Sequence, residues 1–116
     1  MENKIKNIVN ENSREMVESI KAAVRINSVM DEKTATEKMP FGKGVDDAIR
    51  KALEIAKSLG FKTVYKDGYY GYAEVGDGEE LIGILGHIDV VPVGDESKWK
   101  FPPFSATEED LSLIHI

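Results

Sequence analysis

Residues 81–86, LIGILG, constrain the fold more than any other stretch of the 116-residue chain. Six residues without one polar side chain do not suit a strand with a wet face, which would alternate. The run predicts a strand covered on both faces, the central strand of a sheet with other elements packed around it. A titratable pair, His87 and Asp89, follows at once, and then a Pro-Gly loop.

The segments before this run supply candidate covering layers. Ile5, Ile8 and Val9, then Met16, Val17, Ile20, Ala23 and Val24, repeat at helical spacing. They predict a first helix ending near Asn27, with the NENS stretch as an interruption or a cap. Residues 28–44 are polar and end in Pro40, Gly42 and Gly44, which reads as a connection. Val45, Ala48, Ile49, Ala52, Leu53 and Ala56 form one apolar stripe of a second helix over 45–59. Asp46 and Asp47 suit the positive end of its dipole, and Gly60 is placed to stop it. The hydrophobic period then falls from 3.6 to 2. FKTVYK (61–66), the Asp67-Gly68 turn signal and YYGYAEV (69–75) predict a β-hairpin, and GDGEE a further turn. Tyr69, Tyr70 and Tyr72 fit a sheet face. The order α, α, β, β, β predicts an α/β fold of two helices, a hairpin and a central strand of a mixed sheet.

The loop after Asp89 carries Val91, Trp99, Phe101 and Phe104. Large apolar side chains in a connection predict that it packs back on the domain. Trp99 and Phe104 read as packing anchors, and Pro92 and Gly94 as shapers of the loop. Glu108, Glu109 and Asp110 read as a solvated acidic turn.

Composition removes several classes of function. Net charge is −6 with no basic patch, which argues against nucleic acid and anionic membrane as partners. With no cysteine, metal binding would fall to His, Asp or Glu. The N-terminus has no continuous apolar stretch of a secretory signal, and no run approaches the ~20 residues of a membrane span. The expectation is a soluble, cytoplasmic protein.

His87 and Asp89 carry the candidate chemistry. In an extended chain they point to one face, about 6.6 Å apart along the strand. A metal-bound His commonly donates its second ring N–H to such a carboxylate, which fixes the tautomer and raises its basicity. His87 as metal ligand and Asp89 as its orienting carboxylate is one reading. A structural hydrogen-bonded pair in a small, non-catalytic α/β domain is the other. Neither a G-x-S-x-G elbow nor a phosphate-binding glycine loop is present.

A longer pattern adds to this. GHIDVVPVG (86–94), followed by Trp99 and the PPF of residues 102–104, resembles the first metal motif of the co-catalytic zinc peptidases. That family includes carboxypeptidase G, the aminoacylases and succinyl-diaminopimelate desuccinylase. PFGKG (40–44), the helix VDDAIRKALEIAKSLGF and the YYGYAEVGDGEE hairpin look most like its PepV-type dipeptidases. The resemblance runs from about residue 8 to residue 110. It implies the N-terminal portion of a zinc-peptidase catalytic domain over 1–110, incomplete as it stands. His87 would ligate one zinc of a pair and Asp89 would be the catalytic-site carboxylate that orients it. Two zinc ions, replaceable by cobalt or manganese, would activate a water against the amide of a dipeptide, β-alanyl or Xaa-His types among them. An N-acyl amino acid deacylase or desuccinylase is the alternative within the family.

The resemblance also implies what is missing. The other metal ligands, the general-base Glu and the substrate-binding second domain of the family have no counterpart in these 116 residues. The final LSLIHI (111–116) resembles the in-frame translation of a transposase adapter end. It reads as a non-native tail from a truncated gene model, and the fragment by itself as inactive. The competing reading makes the tail a genuine strand with His115 as a second ligand.

Overall fold

The computed structural model describes residues 1–109 and the backbone of 112–114. Helix α1 spans Glu2–Val24 and helix α2 spans Lys43–Ser58. Strands β1 (Lys62–Lys66) and β2 (Tyr70–Glu74) form an antiparallel hairpin, with Lys62 opposite Glu74 and Lys66 opposite Tyr70. Two short strands, β3 (Thr107–Glu109) and β4 (Ser112–Ile114), pair antiparallel near the end. Asp110, Leu111, His115 and Ile116 lie outside the described residues, so the readings placed on Asp110 and His115 do too.

Helix α1 runs straight through the expected interruption. Asn12 donates to the Ile8 carbonyl at 2.8 Å and the Ser13 hydroxyl to the Asn10 carbonyl at 2.8 Å. These side chains bond back onto their own helix, so the polar stretch continues it instead of capping it. Helix α2 stops as expected. Gly60 takes φ 90°, its N–H donates to the Lys57 carbonyl, and the Phe61 N–H donates to the Ala56 carbonyl. Those two bonds make a Schellman closure, which needs a residue tolerant of positive φ at that point. The hairpin also turns where expected. Asp67 (φ 44°) and Gly68 (φ 73°) both adopt positive φ, and the Tyr69 N–H closes onto the Lys66 carbonyl at 2.9 Å.

The hairpin rests on α2, and a polar cluster ties the two together. Asp46, only 4% exposed, accepts hydrogen bonds from the Tyr65 hydroxyl on β1 and from Arg50 Nε at 2.8 Å. The Arg50 guanidinium lies 4.1 Å from the centre of the Tyr65 ring. Burial alone would raise the pKa of Asp46, but the Tyr65 and Arg50 hydrogen bonds outweigh it and hold the carboxyl below 3.8. Asp46 therefore does more than meet a helix dipole.

The expected central strand is not formed. Residues 81–86 join no ladder, and Leu81, Ile82, Ile84 and Leu85 are 91%, 90%, 96% and 99% exposed. An apolar strand is held by neighbours on its edges and layers on its faces. Among the described residues nothing lies in those places. The GDGEE segment does not close a turn that would return the chain to β2, and nothing lies within 4 Å of where side chains at Gly76 and Gly78 would begin.

The core is correspondingly small. Val45, Ala48, Ile49 and Ala106 are its buried apolar residues, while α1 keeps Ile5, Ile8, Val9, Met16 and Ile20 about half exposed. The radius of gyration is 16.4 Å, against about 13 Å for a compact domain of this length. The result is an α/β arrangement of two helices and a two-stranded antiparallel hairpin, open where more sheet would pack.

The acidic residues Glu108 and Glu109 lie in β3 instead of a turn, and Glu108, exposed as expected, is ion-paired. Lys21, nearly buried, donates to Glu108 at 2.8 Å, and Arg14 reaches the same carboxylate at 3.3 Å. The Lys21 hydrogen bond and charge lower the Glu108 pKa.

Candidate functional site

The site is built where the chain leaves the 81–86 segment and meets the connection after α1. Ser28, 4% exposed, donates its hydroxyl to the Ile88 carbonyl at 2.8 Å. The Val90 N–H donates to the Ser28 carbonyl at 3.3 Å, within a parallel bridge between Val29 and Val90. Residues 88–90 are thus clasped against residues 28–29, and the two side chains flanking Ile88 are set beside each other. Sequence reasoning passed over Ser28. The signal that could have found it is a small polar residue at the first turn past a helix end, where free backbone groups need partners.

His87 and Asp89 do meet. His87 Nδ1 lies 3.0 Å from the Asp89 backbone carbonyl and 3.4 Å from its carboxylate. The nearer partner is the main chain, so the orienting group is the Asp89 residue through its carbonyl first and its carboxylate second. With Nδ1 protonated and donating there, the lone pair of Nε2 is left free, the arrangement found in many metal-binding histidines. The pair is wet: the side chains are 84% and 62% exposed. The apolar run that leads into the pair is itself uncovered and does not shield it.

Beside the pair lies a groove of about 620 Å³. It is lined by Val45, Ile49 and Leu53 of α2, by Tyr69 and Tyr70, and by His87 and Asp89. The Tyr69 ring is braced edge-on against Phe41, 5.9 Å between centroids. A mostly apolar cleft with a few polar groups converging at one edge is the common form of a small-molecule site.

In the loop beyond Asp89, Trp99 is half-buried and donates its indole N–H to the Val93 carbonyl of the same loop at 3.0 Å. Asp95 caps the short 3₁₀ turn Glu96–Lys98 by accepting from Ser97 N–H and hydroxyl, and those bonds lower its pKa. Val91 departs from the expectation and stays 78% exposed. Among the described residues no three His, Asp or Glu side chains converge as a metal site would require. No helix among them is long and apolar enough to cross a membrane.

No family model matches the chain. Individual proteins do. It is 45% identical over 92 residues to "Putative dipeptidase YtjP" of Bacillus subtilis, covering 79% of this chain and 19% of that protein. It is 37% identical over 104 residues to a "Putative dipeptidase" of Staphylococcus epidermidis, covering 90% of this chain and 22% of that protein. It is 36% identical over 100 residues to the "Beta-Ala-Xaa dipeptidase" of Lactobacillus delbrueckii subsp. lactis, covering 86% and 21%. The chain spans about a fifth of the length of these curated relatives. The matches take in most of the chain, come from three bacterial genera and all carry dipeptidase names, which is consistent with a PepV-type dipeptidase family.

Proposed function

We propose that this chain carries the first metal-ligand element of a cytoplasmic, metal-dependent dipeptidase, with His87 as a zinc ligand and Asp89 as the residue that orients it. The observation that carries the reading is the 3.0 Å contact of His87 Nδ1 with the Asp89 carbonyl, beside an apolar groove that both residues line. The exposure of both side chains disfavours a buried structural pair, whose role would be to satisfy groups shielded from water. The name Beta-Ala-Xaa dipeptidase, carried by one relative, favours dipeptides over N-acyl amino acids as the substrate class.

The residues present fit zinc only in part. They supply one ligand and its partner, where a catalytic zinc takes about three protein ligands. The other ligands and the general base would come from sequence beyond this stretch. Zinc, when bound, would supply Lewis acidity and a water made acidic enough to act near neutral pH. What this chain contributes is position: the Ser28 clasp holds residues 88–90, Asp89 sets the imidazole tautomer, and the groove offers an apolar surface for a substrate side chain.

The test uses the open reading frame at the length of its relatives. Dipeptides, β-alanyl ones included, should be hydrolysed. Exhaustive chelation should abolish the activity, and zinc, cobalt or manganese should restore part of it. His87→Ala should lower bound zinc measured by elemental mass spectrometry as well as activity. Full activity after metal removal, or unchanged zinc in His87→Ala, would overturn the reading.

A further inference from the structure

Gly44, the last residue of PFGKG, stands in the first turn of α2, and the chain leaving α1 lies directly against it. A side chain at Gly44 would begin 2.0 Å from the Asn27 carbonyl oxygen and 3.7 Å from the Ser28 Cα. A Cβ stands no closer than about 3.0 Å to such an oxygen, so any other residue would drive the two segments apart by about 1 Å. Glycine is a poor helix residue, and Gly44 has no positive φ that would call for one. The close approach is the physical reason for a glycine at this point.

What the approach sets is the position of Ser28, which is buried and holds both peptide groups that flank the Asp89 Cα. The Ser28 hydroxyl donates to the Ile88 carbonyl, in the 88–89 peptide, at 2.8 Å. The Ser28 carbonyl accepts from the Val90 N–H, in the 89–90 peptide, at 3.3 Å. The 89–90 peptide is trans, so its N–H and C=O point to opposite sides of the chain. Holding the Val90 N–H therefore aims the Asp89 carbonyl, and that carbonyl is the group His87 Nδ1 contacts at 3.0 Å. The connection is braced at its other end too. The Asp31 N–H donates to the Phe41 carbonyl at 3.1 Å and the Lys43 N–H to the Thr34 hydroxyl at 3.0 Å, which brings the chain back onto α2. We propose that Gly44 and Ser28 are positioning residues for the His87 imidazole, carrying the placement of α2 through the 89–90 peptide to Nδ1. The proposal rests on the reading of His87 as a zinc ligand.

The test uses the protein at the length of its relatives, with zinc affinity measured by competition with a chelating indicator. Gly44→Ala should bind zinc about 10- to 100-fold more weakly, the cost of a ligand support displaced by about 1 Å. Ser28→Ala should weaken binding in the same direction. The double variant should be little worse than Gly44→Ala by itself, since one substitution acts through the other. In the zinc-free protein the Val90 amide should exchange with deuterium at least about tenfold faster in Gly44→Ala than in wild type. Gly60→Ala, at the far end of α2, is the control: it loses stability but should leave zinc affinity and Val90 exchange as in wild type. Additive effects in the double variant, or a shift in Gly60→Ala as large as in Gly44→Ala, would reduce the role to general stability and overturn the proposal. If Gly44→Ala does not fold, Ser28→Ala decides, and wild-type zinc affinity there overturns it. His87→Ala separates this proposal from the reading beneath it. Zinc lost in His87→Ala but held at wild-type affinity in Gly44→Ala and Ser28→Ala sinks the positioning role alone, whereas zinc unchanged in His87→Ala sinks both.

Discussion

Removing the Tyr65 hydroxyl should cost more stability than removing the Arg50 guanidinium, although both groups hold the same carboxylate. Asp46 is 4% exposed and ionised, and Tyr65 donates to it from β1 across the helix–hairpin interface. A hydrogen bond to a charged group contributes about 1.5–3 kcal/mol, and Tyr65→Phe deletes one while leaving the carboxylate with a single donor. The Arg50 side chain is 58% exposed and pairs with Asp46 one helical turn away. Such a pair contributes about 0.3–0.5 kcal/mol, and its stacking over the ring adds about 0.5–1 kcal/mol. Arg50→Ala should therefore cost roughly half as much as Tyr65→Phe. Combining Tyr65→Phe with Asp46→Asn should reveal a coupling of about 1–2 kcal/mol, since the two residues share one bond. The assay is urea unfolding followed by far-ultraviolet circular dichroism, at pH 7 and again in acid. Because the folded carboxyl is held below its ordinary 3.8, the unfolded chain takes up the proton first as pH falls. The contribution of Asp46 is fully present above about pH 4–5 and is lost as pH falls through the folded value. Asp46→Asn should remove that part of the acid sensitivity. An unchanged urea midpoint in Tyr65→Phe, or a larger loss in Arg50→Ala, would refute the idea that the phenol–carboxylate bond fastens the hairpin to α2.

Three further outcomes are expected. Gly60→Ala should destabilise by about 1 kcal/mol, read from the same urea midpoint, because φ 90° strains any L side chain while open space leaves nothing to clash. In the protein at the length of its relatives, Asp89→Asn should lower activity or zinc affinity by about 10- to 100-fold, because the carbonyl that orients His87 remains while the carboxylate is neutralised; wild-type behaviour in both would remove the carboxylate from the site. The 116-residue chain should show no dipeptide hydrolysis, and calorimetric titration should find no sub-micromolar zinc site, since one ligand falls short of the set that tight binding requires.

What could be read in advance was what neighbours in sequence decide. The α2 stripe, the Gly60 stop and the Asp67-Gly68 turn each depend on residues within a few positions, and each formed where expected. The His87–Asp89 contact was legible for the same reason, being a two-residue spacing. The 81–86 strand was not, because its prediction rested on partners that must come from elsewhere in the chain. An apolar run states what it needs, not whether it is supplied. Asp46 was half legible. Its place at the helix start showed, but its partners did not. The bond to Tyr65, nineteen residues on, required the fold. The ion pair of Glu108 was hidden in the same way, since its partner Lys21 stands 87 residues earlier.

The clasp at Ser28 has a consequence for the order in which this chain folds. It joins residues about 60 apart, with α2 and the whole hairpin in the loop between them. Closing a flexible loop of that size from the unfolded state would oppose the contact by about 3–4 kcal/mol or more, beyond what two hydrogen bonds return. The clasp can form only after α2 and the hairpin have shortened the path between its ends. These depend on local contacts and assemble in microseconds. It therefore closes after α2 and the hairpin and opens before them, and the His87–Asp89 pair lies on the part of the chain that opening would release.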